Sequence, residues 1–168
     1  GGMARAFAEV GDWEGALIAA EKIDNENYWP DILSEVAQLL AWSGNHEGAL
    51  TVARRALEAV EKIGDEWRKV RVLKGVATAL GQAGDQEGLR RALAEAEKIE
   101  NEQYKVAALG GVAGELARAG DREGALAVAW RALTMEMIND EGYKAAALSE
   151  VARALVQAGV REEAQVVT

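Results

Sequence analysis

The chain has 168 residues, 49% of them hydrophobic, no Cys and a formal net charge of -9. That length and apolar content suffice to bury the core of one domain, and the missing thiols exclude disulfides and thiolate metal sites. The negative balance opposes the backbone neutralisation on which non-specific nucleic-acid binding rests, and no apolar run approaches the roughly 18 residues that span a bilayer.

In chain order, Gly1 and Gly2 read as an expression remnant, and Met3, Ala4 and Phe7 open a truncated apolar stripe that ends at the segment GDWEG, starting at Gly11. The segment returns as GNHEG at Gly44, GDQEG at Gly84 and GDREG at Gly120, and in degraded form as GVREE at Gly159. Its steps of 33, 40, 36 and 39 residues mark a repeat array in which each unit is one supersecondary element. Ahead of Gly44, the residues Leu33, Val36, Ala37 and Leu40 fall at i, i+3, i+4 and i+7, one face of a helix. The same stripe recurs as Leu73, Val76, Ala77 and Leu80, as Leu109, Val112, Ala113 and Leu116, and as Leu148, Val151, Ala152 and Leu155. A second amphipathic stripe follows each turn, beginning at Ala16, Ala49, Leu89, Ala125 and Ala164. Gly120 suits a left-handed helix end, Asp121 an N-cap, and Glu123 the positive end of the next helix dipole.

Each unit is therefore a helical hairpin, and the expected boundaries are 3–27, 28–64, 65–101, 102–139 and 140–168. The junctions DNENY, GDEW, ENEQY and NDEGY each end on an aromatic residue. Tyr28, Trp67, Tyr104 and Tyr143 are expected to pack between units as inter-repeat core. From second-helix core to the next first-helix Leu the spacing is 17, 24, 20 and 23 residues, which predicts second helices of variable length between first helices of constant length.

These residues resemble the tetratricopeptide repeat family, whose units of about 34 residues are helix–turn–helix hairpins. The resemblance rests on Ala113, Gly120-Asp121, Ala125 and Ala132, and on Ala37, Gly44-Asn45, Ala49 and Ala56. The chain departs from that family where its Trp, Tyr and Phe positions are mostly Leu or Ala, where the unit-closing Pro is absent, and in its uneven unit lengths. The resemblance implies an all-α fold, an α-solenoid of about four and a half stacked antiparallel hairpins in a right-handed superhelix. It also implies a concave face, lined by first helices, that binds peptide or protein segments.

Register from the Gly-Asp turn places Arg5 and Glu9; Asp31, Ser34, Gln38 and Trp42; Arg71, Lys74, Thr78 and Gln82; Gly110, Gly114 and Arg118; and Ser149, Arg153 and Gln157 on that face. Five basic residues against two acidic ones give it +3, so acidic or carboxylate-bearing segments are the expected partners. The bland reading is that these cations are good helix formers on a solvated face. Arg71, Lys74, Arg118 and Arg153 are the candidate charge contacts, Trp42 the apolar anchor, and Gln38, Thr78 and Gly114 the remaining candidate contacts. Trp42 has helix packing as its alternative role. Gly110, Gly111 and Gly114 lie within one helix, where each costs about 1 kcal/mol relative to Ala, so either a ligand backbone or a neighbouring helix approaches closely.

Chemistry finds little support. His46, the single His, occupies a turn position held by Trp13, Gln86 and Arg122 in other copies, and three Ser offer no triad. No His or Cys spacing supports a metal, and the run from Gly81 through Gly84 to Gly88 follows no strand, so it is a helix junction rather than a phosphate loop. The expectation is a non-catalytic, cofactor-free interaction scaffold in the cytoplasm, without nucleic-acid or membrane partners. The alternative is a structural spacer or self-associating segment from a larger or engineered array, stacking end to end through residues such as Phe7, Val166 and Val167.

Overall fold

A computed structural model describes residues 2–23 and 28–134, with the isolated positions 142, 145, 149, 152 and 156. Regular structure among the described residues is entirely helical: α1 (Gly2–Glu9), α2 (Trp13–Glu21), α3 (Trp29–Trp42), α4 (His46–Ala59), α5 (Glu66–Gln82), α6 (Gln86–Glu97), α7 (Glu102–Arg118) and α8 (Arg122–Thr134). No helix among these residues is long and apolar enough to cross a membrane.

The turns form as their residues dictate. Gly11, Gly44, Gly84 and Gly120 have φ of 78°, 82°, 73° and 87°, the left-handed conformation that a side chain would strain. The following N–H of Asn45 bonds the Leu40 carbonyl at 2.9 Å, and that of Gly44 bonds the Ala41 carbonyl at 3.1 Å, closing the α3 end in a Schellman motif. Asp12, Asn45, Asp85 and Asp121 then accept from the backbone N–H three residues on, at 2.9–3.0 Å, and so cap the next helix. One residue ends a helix and its neighbour starts another, which is why the hairpins are so tight.

The core runs along the stripes read from the sequence. Leu33, Leu40, Leu73, Leu80, Leu89, Leu109 and Leu116 are fully buried, and Ala4, Ala8, Ala37, Ala77 and Ala113 let the helices approach. Burying each such Leu stabilises the fold by about 1.5–3 kcal/mol. Substantial contacts join a helix to the next or next-but-one helix in the chain: α3 lies against α1, α4 and α5, and α5 against α3, α6 and α7. Ion pairs tie successive hairpins, Arg54–Asp85 and Arg90–Asp121 at 2.9 Å and Lys98–Glu61 at 2.6 Å.

Two expectations change. The first helices are not constant, since α3 has 14 residues where α5 and α7 have 17. Its start is trimmed around Pro30, which lacks an N–H and fits only the first helical turn. The second helices do vary, α2 having 9 residues, α6 having 12, and α4 having 14 before a 3₁₀ turn at Val60–Lys62. The junction aromatics divide: Tyr28 is 54% and Trp67 55% exposed, whereas Tyr104 is half-buried against the core with the Trp67 ring 5.9 Å away. The fifth unit, including Tyr143, Leu148, Val151, Arg153, Leu155, Gln157, Gly159, Val166 and Val167, lies outside the described residues, although Ala152 is buried and Ser149 exposed.

Candidate functional site

A single helical stripe builds most of a hollow on the described surface. Tyr28, Asp31, Glu35, Gln38 and Trp42 follow one another at three- or four-residue steps, and Ile32 and Leu39 lie beside them, so all seven share one face of α3 and its approach. Together with Ser34, Arg5 from α1 and Arg71 from α5, they line a pocket of about 570 Å³. Two smaller hollows, about 240 and 250 Å³, lie beside α4. Trp42, the last residue of α3, is 64% exposed at the rim of the large pocket. An aromatic ring left in water next to a concavity is unusual for a residue whose burial is worth several kcal/mol.

The pocket is apolar with charges already matched. Arg5 Nη2 donates to Glu35 Oε2 at 2.6 Å. Asp31 receives Arg68 on Oδ2 at 2.5 Å and Arg71 on Oδ1, while the Arg68 guanidinium lies 5.0 Å over the Tyr28 ring. The hydrogen bond that Arg68 donates to Asp31 raises the Arg68 pKa, holding that cation more firmly protonated. Of the lining residues Arg5 and Arg71 carry +2, Asp31 and Glu35 carry -2, and the sum is zero.

The structure divides the candidate residues. Gln38, Trp42 and Arg71 meet in the pocket. Lys74, Thr78 and Arg118 belong to a second cluster, between α5 and α7, organised by Glu115. That carboxylate is only 7% exposed, accepts from Arg118 Nη1 at 2.7 and 2.8 Å, and lies 3.4 Å from Thr78 Oγ1. Its side chain occupies space left by Gly81, where an added Cβ would stand 2.4 Å from Glu115 Oε2. The Lys74 alkyl chain crosses α7 at Gly111, where a Cβ would fall 3.0 Å from Lys74 Cγ. Close helix packing thus accounts for Gly111. Gly114 is half-buried on α7 away from the pocket, and Arg153 lies outside the described residues.

Sequence reasoning missed Tyr28, Ile32, Glu35 and Leu39 as pocket residues, and Glu115 as the partner of Arg118. A signal existed for Tyr28, Glu35 and Leu39, because each stands three or four residues from a position already placed on the face; Ile32 had none. Glu35 and Glu115 also change the charge arithmetic: Arg5, Arg71 and Arg118 each face a carboxylate. His46 is exposed in the first turn of α4, and no group of three or more His, Asp or Glu among the described residues is placed to hold a metal ion. What the arrangement offers is a preformed hollow with an exposed indole and fixed charges, suited to holding a side chain or segment. Compared with known proteins, the chain matches no family model and no curated protein.

Proposed function

We propose that the chain is a non-catalytic interaction module, an α-solenoid whose first helices line a concave face that captures a peptide or protein segment. The pocket carries this reading: about 570 Å³, drawn from three successive first helices, with Trp42 exposed beside it. The sequential packing of α1, α3, α5 and α7 supports the array, since each unit buries its apolar stripe only against its neighbours. Rigid helices pre-pay the ordering of the surface, so binding spends little on reorganising the receptor. Panning a phage-displayed random-peptide library on the protein, with Trp42→Ala as counter-target, tests it. Peptides that prefer the Trp42 form support the module; equal enrichment on both targets overturns it.

A second reading is self-association. Met3 is 69% exposed although Val36, Val76 and Val112, at the same repeat position, are fully buried, and Val10 is 77% exposed. Light scattering after size exclusion over a wide concentration range separates the two. A mass that climbs with concentration, and no longer climbs in Met3→Lys, favours assembly; a constant monomer mass rules it out.

A further inference from the structure

The pocket's charges are spent before any ligand arrives. Arg5 is held by Glu35, and Arg71 shares Asp31 with Arg68. A ligand carboxylate would therefore gain an arginine only by loosening a bond that already exists, and would sit beside two fixed carboxylates. Exchanging one ion pair for another yields little net free energy at a solvated surface. The whole chain, at -9, also repels an acidic segment at long range. The unsatisfied part of the pocket is apolar: Trp42, the exposed Tyr28 ring, Ile32 and Leu39. Removing that surface from water is the largest gain any occupant can obtain here.

Resting on the proposed module, we infer that the pocket selects a segment by an apolar anchor, a Leu-, Met- or Phe-type side chain seated against Trp42 and Leu39. The segment's own net charge is near zero or slightly positive, and the Arg5–Glu35 and Arg71–Asp31–Arg68 pairs serve as a fixed polar rim. The rim orients backbone groups and rejects strongly acidic sequences, the partner class that the count of basic residues alone suggests.

The peptides recovered by panning supply the probe. Their sequences are scored for apolar and acidic content, and the most enriched is made with a fluorescein label for anisotropy titration. The expected peptide is rich in Leu, Met or Phe and poor in Asp and Glu. Its affinity should fall about tenfold or more in Trp42→Ala. Between low and high salt it should change by less than about threefold, because little charge is neutralised on binding. Circular dichroism of the variant confirms its fold. Enrichment of Asp and Glu, with affinity lost in Arg71→Glu and steeply salt-dependent, overturns this chemistry but leaves the module standing. Failure to recover any Trp42-dependent peptide overturns the module, and the inference with it.

Discussion

The same repeat positions do opposite things in the two halves of the first-helix face. Glu35, Gly75 and Gly111 are equivalent, as are Leu39, Ala79 and Glu115, and Trp42, Gln82 and Arg118. Around α3 the outward side chains are large, and Glu35 reaches back to Arg5 beside the open pocket. Between α5 and α7 the small residues Gly81 and Gly111 admit Glu115 and Lys74, and a polar cluster around the buried Glu115 fills the joint. The helical frame is shared. What differs is side-chain volume at a few positions, and that decides whether a joint presents a hollow or seals itself.

The comparison has consequences that mutations can break or sharpen. The largest tests the shared frame. Leu40 and Leu80 are equivalent and fully buried, so Leu40→Ala and Leu80→Ala should each cost about 2–5 kcal/mol in urea unfolding. A much smaller loss for Leu40→Ala would mean that the two halves do not share one core. Next comes the sealed joint. Gly81→Ala should cost about 1–3 kcal/mol through overpacking, because the new methyl meets Glu115 Cβ as well as its carboxylate. Adding Glu115→Ala should recover part of that loss; strict additivity would show that the two residues do not share the space.

The caps give a smaller and pH-dependent contrast. Asp121 caps α8 and pairs with Arg90, and the Gly124 N–H and Arg90 lower its pKa below the ordinary 3.8. The unfolded chain therefore takes up the proton first on acidification. The resulting stabilisation is complete above 3.8 and is lost as pH falls through the folded value. Asp121→Asn should lower stability at neutral pH, and the deficit should close in acid; Asn45, the neutral counterpart in the other half, contributes no such term. Asp121→Ala, which also removes the cap, should cost about 1 kcal/mol. The smallest effect belongs to Trp42→Ala: with the ring 64% exposed, stability should stay within about 0.5 kcal/mol. A large destabilisation there would make Trp42 a packing residue and remove the anchor from the proposed binding face.

Much of this was legible before any coordinates, for local reasons. Gly44 and Asn45, or Gly120 and Asp121, satisfy helix ends through bonds spanning a few residues, so their chemistry appears in adjacent letters. The stripes Leu33–Leu40 and Leu73–Leu80 announce buried faces because helical periodicity is fixed by the backbone itself. Even the pocket stripe from Tyr28 to Trp42 was readable by spacing, although only Asp31, Ser34, Gln38 and Trp42 were drawn from it. Trp42 was visible as an outward residue at the end of a first helix.

The electrostatics of the face were not legible. Arg5 meets Glu35 across 30 residues, Arg71 meets Asp31 across 40, and Thr78 meets Glu115 across 37. Those partners depend on how one hairpin leans on the next, which is set by Pro30 trimming α3, by the unequal second helices, and by glycines at Gly75, Gly81 and Gly111. Counting cations on one face assigns charge to a surface but cannot pair it across a joint. The sequence by itself therefore determined helices, turns and buried stripes, because short-range hydrogen bonding and periodicity impose them. Only the tertiary structure decided which charges are free to meet a ligand, because that depends on distances between segments far apart in the chain.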